Sequence, residues 1–216
     1  MTDSSRRISG IYGILPEGLD TPELLSKADA ALSGGVKTLQ LRDKGLGFKE
    51  ALKRAKALRT LTQDHGARFI VNDSLQLAGD SEADGVHLGR DDMQSIAAMR
   101  AEIGDKLLIG VSCQGDAAFA QFVLNEGADY VSFGAIFPTS SKQEATPIGL
   151  PRLAKARQIF PEANICAIGG LTQEALPTVR MAGADCAAVI SSLFGAANIQ
   201  MQARQMVEIW NNAPSA

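Results

Sequence analysis

Gly127-Ala128-Asp129-Tyr130-Val131-Ser132-Phe133 decides how this chain is read, because its first four residues have two echoes elsewhere. Glu82-Ala83-Asp84-Gly85 and Gly183-Ala184-Asp185-Cys186 repeat the pattern, and each copy closes a stretch of helical spacing and opens a short β-rich run. A recurrence of this kind marks stacked supersecondary units. Working outward, the β-rich runs are Ile8 to Leu15, Val36 to Leu41, Arg68 to Val71, Gly85 to Leu88, Leu107 to Ser112, Tyr130 to Phe133, Asn164 to Ile168 and Cys186 to Ser191. Between them the spacing is helical, as in Phe48, Ala51, Leu52, Ala55 and Leu58 or Ile96, Met99 and Ile103. Thr21-Pro22 reads as a cap followed by proline at the first helical position. No hairpin turn signal joins neighbouring runs, so the crossovers are helical and the strands parallel. Eight βα rounds argue for a closed (β/α)8 barrel of the TIM type rather than an open doubly wound sheet. The three echoes then launch even-numbered strands, as stacked quarter-barrels would.

With 216 residues, 45% of them hydrophobic, the chain can bury one large core, and no composition shift marks a domain boundary. One barrel domain is expected over residues 1–216, ordered over about 8–210, with Asn211 to Ala216 frayed and Ser140 to Gly149 the one long polar loop. Lys+Arg 21 against Asp+Glu 24 gives a net charge of -3, so no basic field invites a nucleic acid and any anion site must be local. Cys113, Cys166 and Cys186 lie in or beside apolar runs without metal-ligand spacing and read as reduced, buried thiols. The arginine pair Arg6-Arg7 precedes a run broken by Ser9, Gly10 and Gly13, which is no signal-peptide core, and no apolar stretch reaches membrane-spanning length. The expectation is a cytoplasmic protein without a membrane or nucleic-acid partner; homo-oligomerisation is left open.

In such a barrel the reactive groups stand at the C-terminal ends of strands. Gln40-Leu41-Arg42-Asp43-Lys44 ends the second run in an amide, a guanidinium and an ammonium, and period-two spacing places Gln40, Arg42 and Lys44 on one face suited to a polyanion. The third run ends in Asn72-Asp73, and the fourth runs through His87-Leu88-Gly89 to Asp92. Asp73 and Asp92, on neighbouring strand ends, can share one hard cation, with magnesium the natural candidate; the bland alternative for each is a helix N-cap. Ser112 ends the fifth run, and Thr139-Ser140-Ser141-Lys142 follows the sixth on a segment suited to a lid, or else to ordinary turn chemistry. Gly169-Gly170 and Ile190-Ser191, after the seventh and eighth runs, occupy the habitual phosphate position of this barrel. His87 reads as a packed barrel histidine rather than an acid or base, and no catalytic triad or zinc spacing is present.

Taken in order, these motifs resemble the thiamine phosphate synthase family from Tyr12 to about Trp210. Gln40 to Lys44 is similar to its Q-L-R-x-K, Asn72-Asp73 to its N-D, and Gly85-Val86-His87-Leu88-Gly89 through Asp92 to its G-V-H-L-G-x-x-D. Gly110-Val111-Ser112, Asp129-Tyr130 with Phe133-Gly134, Ile136-Phe137-Pro138-Thr139, Lys142, Ala167-Ile168-Gly169-Gly170 and Val189-Ile190-Ser191 follow in register. The resemblance implies a transferase of thiamine biosynthesis that joins an aminopyrimidine-methyl pyrophosphate to a thiazole phosphate, with Mg2+ as cofactor. It implies that Gln40, Leu41, Arg42, Asp43, Lys44, Asn72, Ser112 and Lys142 hold the pyrimidine and its pyrophosphate. Thr139, Ser140, Ser141, Gly170, Ile190 and Ser191 would hold the thiazole phosphate, and Asp73 and Asp92 the metal. Arg42, Lys44 and Lys142 would be the catalytic cations. With no positioned base in sight, the bond to pyrophosphate is expected to break before the thiazole nitrogen attacks.

The chain departs from the family pattern at Leu15-Pro16, where threonine and aspartate are usual, and at Arg90, Gln114, Ala135 and Ser141. Arg90 matters most, since a cation beside metal ligands weakens metal binding or adds an anion contact. Two other readings stay open on sequence alone: a related thiazole tautomerase, which needs a histidine acid/base, and a non-catalytic phosphate-binding barrel.

Overall fold

The computed structural model describes residues 6–43, 45–90, 95–139 and 146–216. Eight parallel strands close in sequence order, β1 (Gly10–Ile14), β2 (Thr38–Leu41), β3 (Arg68–Asn72), β4 (Gly85–Leu88), β5 (Leu108–Ser112), β6 (Tyr130–Phe133), β7 (Ile165–Ile168) and β8 (Cys186–Val189), with β8 back against β1. The crossovers carry α1 (Thr21–Ser33), α2 (Phe48–Asp64), α3 (Leu75–Asp80), α4 (Ile96–Ile103), α5 (Ala117–Asn125), α6 (Gly149–Ile159) and α7 (Leu176–Met181). After β8 come α8 (Ser191–Phe194) and α9 (Ile199–Asn212). Among the described residues, no helix is long and apolar enough to cross a membrane.

Alternation sorts the side chains into two cores. Outward residues such as Leu39, Leu41, Phe69, Val71, Val86, Val131 and Ala187 pack against the helices, whereas Tyr12, Ile70, Leu108, Tyr130, Cys166, Cys186 and Ala188 fill the interior. The interior accommodates the large Tyr130 ring because its neighbour in register is Gly110; a Cβ there would lie 2.0 Å from Tyr130 Cζ.

The repeated aspartates turn out to stitch the foot of the barrel. Asp84, Asp129 and Asp185 each accept the backbone N–H of a residue at the start of the preceding odd strand, Phe69, Ile109 and Ile165, at 2.7 Å in all three cases. The same carboxylates bind Arg59 of α2, Arg100 of α4 and Arg157 of α6 at 2.7, 2.7 and 2.6 Å. Helix, odd strand and even strand are thereby tied at one point in three of the four quarters. The fourth has Lys37 at the equivalent position before β2, and its ammonium reaches His65 O. Arg6 and Arg7 complete the foot, Arg6 on Asp129 and Arg7 on Asp185, while Ile8 exchanges two backbone bonds with the Asn164 side chain.

Several boundaries differ from expectation. The cap of α1 is Asp20, whose carboxylate accepts from Glu23 N at 2.8 Å, so Thr21 is already helical. β1 begins only at Gly10, where φ is +80°, and α9 carries the chain in helix to Asn212 instead of fraying at Asn211.

Candidate active site

At the C-terminal rim, Gln40 is 2% exposed and faces the interior, where its Nε2 donates to Tyr12 Oη at 2.9 Å. Leu41 points the other way, into the helix layer, so only its backbone is available to a ligand. Arg42 emerges half-buried and binds Glu17 of the β1–α1 loop through Nη1 at 2.6 Å. The carboxylate of Asp43 is held by Arg54 of α2 at 2.6 Å, with side-chain exposures of 10% and 5%; Arg54 also reaches Thr21 Oγ1. Asp43 therefore fixes the course of the loop after β2, with its side chain turned toward α2. Lys44 lies outside the described residues.

Next around the rim, Asp73 has a φ of 63°, an αL position that aspartate tolerates better than most residues. Its N–H donates to His87 O at 2.8 Å, its Oδ2 accepts from Asn72 Nδ2 at 2.6 Å and its Oδ1 faces Gly89 N at 3.4 Å. Ser74, and not Asp73, caps α3, which removes the N-cap alternative for Asp73; the cap of α4 is Ser95. Asp92 itself falls outside the described residues. Arg90 is drawn off to α5, with Nη2 2.9 Å from Asp116 Oδ2 and the guanidinium 4.2 Å from the centre of the Phe119 ring. The backbone N–H of Phe119, and then Arg90, lower the Asp116 pKa.

Ser112 ends β5 half-buried and in register with Ser132 of β6. Beyond β6 the Gly134–Ala135 peptide is cis, and the chain runs along the end of β7: Ile136 N donates to Ile168 O and Phe137 N to Gly169 O. Gly170 makes this approach possible, since a Cβ there would come within 2.4 Å of Pro138 O. The return of the same loop is pinned by Ile148 N on Ala135 O and Gly149 N on Ile136 O, which hold residues 135–136 and 148–149 side by side. Ser140, Ser141 and Lys142 lie outside the described residues. Gly170 and Ile190 each follow by two residues a pair in register, Ile168 and Ala188, and Ser191 opens α8.

Beneath the rim a polar file crosses the interior. The Tyr12 and Tyr130 hydroxyls meet at 3.2 Å, Tyr130 Oη lies 3.1 Å from His87 Nδ1, and the His87 and Tyr130 rings stack with centroids 5.5 Å apart. Burial lowers the His87 pKa to about 4, against a smaller opposing pull from Asp73, and raises both tyrosines well above their usual value. All three groups are thus neutral at pH 7. Sequence reading missed this file, together with Glu17 and Arg54; the visible signal was a glycine in the middle of β5 opposite a tyrosine. At the foot, hollows of about 660 and 780 Å³ are lined by Arg59, Arg68 and Asp84 and by Arg7, Arg180 and Asp185 respectively. Arg59, Asp84, Arg7 and Asp185 belong to the aspartate stitches, while Arg68 binds Arg7 O and Arg180 binds Trp210 O, so the foot of this barrel serves stability.

The chain as a whole matches known proteins closely. The family model described as thiamine monophosphate synthase covers residues 11–193. The chain belongs to the thiamine monophosphate synthase family. A relative from Methylobacillus flagellatus named thiamine-phosphate synthase is 42% identical over 204 residues, 94% of this chain and 96% of that protein. One of the same name from Bordetella bronchiseptica is 45% identical over 201 residues, 91% of this chain and 92% of the other. Among solved structures, the thiamine phosphate pyrophosphorylase from Pyrococcus furiosus superposes with a TM-score of 0.87 at 31% identity, covering 97% of this chain and 99% of that one. Membership in this family makes the chain an enzyme acting on small molecules, with the rim just described as its candidate active site.

Proposed function

We propose that the protein is a thiamine-phosphate synthase that joins an aminopyrimidine-methyl pyrophosphate to a thiazole phosphate, giving thiamine phosphate and pyrophosphate, in the cytoplasm and as one barrel domain. The observation that carries the reading is a cation and a carboxylate on neighbouring strand ends, Arg42 above β2 and Asp73 above β3, in a mouth where, among the described residues, no histidine or cysteine is poised as a base. His87 is neutral with Nδ1 committed to Tyr130, and burial pushes the Cys113 thiol up to about 12. The same commitment disfavours a tautomerase, which would need a histidine that exchanges protons.

In this reading Gln40, Asn72 and Ser112 hold the pyrimidine, and Arg42, Lys44 and Lys142 its pyrophosphate. Thr139, Ser140, Ser141, Gly170, Ile190 and Ser191 hold the thiazole phosphate, while Leu41 and Asp43 shape the β2 loop. A guanidinium has five N–H donors, and Glu17 engages it through one nitrogen, so Arg42 keeps donors for phosphate oxygens. The donor set fits a magnesium ion: Asp73 supplies hard oxygen ligands at the gap between β3 and β4, and this cation is commonly held by one or two carboxylates plus substrate phosphates. Asp73 and Asp92 would hold the ion, and when bound it supplies positive charge to the departing pyrophosphate. Fixed cations aimed at a leaving group lower the barrier without proton transfer, and the buried barrel wall keeps water from the carbon left behind. The thiazole nitrogen needs no deprotonation to attack, and with the cations gathered on the leaving group the proposed order is departure before attack.

Purified protein supplied with both substrates and magnesium is expected to release one pyrophosphate per thiamine phosphate formed. Absence of either product in that mixture refutes the assignment. An electron-withdrawing group in place of the pyrimidine methyl is expected to slow single turnovers by orders of magnitude at nearly unchanged affinity, and a rate within a few-fold of the parent rules out the dissociative order.

A further inference from the structure

The loop after β2 carries two ion pairs of opposite character. Asp43 is locked: Arg54 binds it at 2.6 Å with side-chain exposures of 10% and 5%, Arg54 also reaches Thr21 Oγ1, and the other carboxylate oxygen of Asp43 accepts from Gly45 N at 3.3 Å. Its neighbour Arg42 meets Glu17 at a single point, Nη1 on Oε1 at 2.6 Å, with side chains 39% and 42% exposed. Among the described residues, neither Glu17 nor Arg42 has a further side-chain partner.

The strands explain why these two residues find each other. Ile14 stands in register with Gln40, and Leu15 N donates to Gln40 O at 3.0 Å, so the ends of β1 and β2 are fixed side by side. Glu17 and Arg42 rise from those two ends into the mouth. At Gly18, where φ is +76°, an added Cβ would meet nothing within 4 Å, so the tip of the β1–α1 loop stands in open space. The backbone thus brings the carboxylate to the guanidinium, and nothing else pins it there. That decides between two roles. A carboxylate that orients an arginine for a ligand must itself be held, as Asp43 is, whereas one held by the arginine alone can only share it or give it up. Arg42 has donors enough for two anions but one positive charge, and an anion arriving there finds that charge already engaged.

We propose that Glu17 is an internal competitor for Arg42, a positioning residue that loosens the grip of the rim on free pyrophosphate and so assists its release. The identity of the anion rests on the function proposed above. When the bond from carbon to pyrophosphate breaks, the electron pair stays on the phosphate oxygen, and the product carries one more negative charge than the ester it came from. Fixed cations therefore hold the product more tightly than the substrate. A tethered carboxylate that returns to Arg42 offsets this excess, because the guanidinium is not left bare as the pyrophosphate goes. Exposed ion pairs are individually weak, which suits a contact made and broken in every cycle.

The test is a calorimetric titration of the full chain with inorganic pyrophosphate in magnesium buffer, without thiazole, comparing the wild type, Glu17→Gln, Arg42→Gln and the double variant. Glu17→Gln is expected to tighten pyrophosphate binding ~3–10-fold, the scale of an exposed ion pair and a nearby like charge, and to lower the inhibition constant of pyrophosphate by the same factor. In the Arg42→Gln background the same change is expected to have an effect of about two-fold or less. Weaker binding by Glu17→Gln overturns the proposal, since it makes Glu17 an orienting group, and so does unchanged binding. A gain of equal size in both backgrounds overturns it too, as the removal of a general field and not of a competitor. Should the wild type form no thiamine phosphate, the proposed function fails, and the titrations still decide whether Glu17 contends with a polyanion for Arg42. Pyrophosphate that binds neither the wild type nor Glu17→Gln overturns the proposal.

Discussion

Gly110→Ala tests whether the interior is as tightly specified as its geometry says. The new Cβ would sit 2.0 Å from Tyr130 Cζ and 2.4 Å from its hydroxyl oxygen, whereas unstrained carbon contacts lie near ~3.5 Å. The ring must retreat by roughly 1.5 Å to restore that contact distance, but Tyr130 is 0% exposed and is packed edge-on to Tyr12 and face-on to His87. Such a retreat breaks the bonds to Tyr12 and His87 as well. Overpacking costs about 1–3 kcal/mol and two buried hydrogen bonds about 1 kcal/mol each, giving an expected loss of about 3–5 kcal/mol. Urea unfolding should show this as a lower midpoint at unchanged slope. In a Tyr130→Leu background, where no ring stands over residue 110, the same substitution should cost almost nothing. A loss below ~1 kcal/mol in the wild-type background, or an equal loss in both, refutes the reasoning.

Asp73→Asn is expected to lower turnover by ~10³-fold while excess chelator abolishes it, the loss anticipated if the metal contributes ~4 kcal/mol to the departing pyrophosphate; undiminished turnover in chelator would dismiss the metal. Asp129→Asn at the foot leaves Arg6 and Arg100 without their carboxylate and should cost about 3–5 kcal/mol of stability, read by urea unfolding, with kcat unchanged in the folded fraction. Burial raises the Cys113 pKa to about 12 and carries Cys186 well above its usual value, so an alkylating reagent at pH 8 should leave both untouched until the protein is unfolded. Because these thiols are raised, the stability they lend is complete below the unfolded value near ~8.5 and is lost as pH climbs toward 12.

What the sequence disclosed was punctuation and order. Strand runs such as Gly85 to Leu88 and Tyr130 to Phe133 coincide with the strands, because a fully buried parallel strand is a short apolar run between breakers and needs no partner to be recognised. The echoed aspartates were visible as markers, but their work was hidden: Arg59, Arg100 and Arg157 stand 25, 29 and 28 residues away, and only the closed barrel brings them to the carboxylates. Local competition explains the cap errors. Asp20 and Thr21, or Asp73 and Ser74, are adjacent cap-capable residues, and the backbone angles that choose between them are set by the strand before. At the mouth, residue types and chain order were legible, whereas side-chain direction was not. Asp43 reads as a neighbour of Arg42, but buried Arg54 turns it toward α2. The Tyr12, Gln40, His87 and Tyr130 file draws one member from each of β1, β2, β4 and β6, and no linear spacing announces it.

The unlike quarter at the foot bears on how such a ring avoids assembling out of step. A circle of four similar sectors can in principle be closed with its sectors shifted by one, since each sector offers its neighbour much the same surface. Lys37 stands where the other three sectors carry an acid, and its carbonyl accepts from Arg68 N just as Asp84 O accepts from Leu108 N and Asp185 O from Gly10 N. Shifting the ring would bring that ammonium against an arginine and leave a strand N–H with no acceptor, a like-charge contact and an orphan donor in one place. One residue of the wrong sign thus numbers the sectors, and a chain made of near copies keeps a fixed starting point.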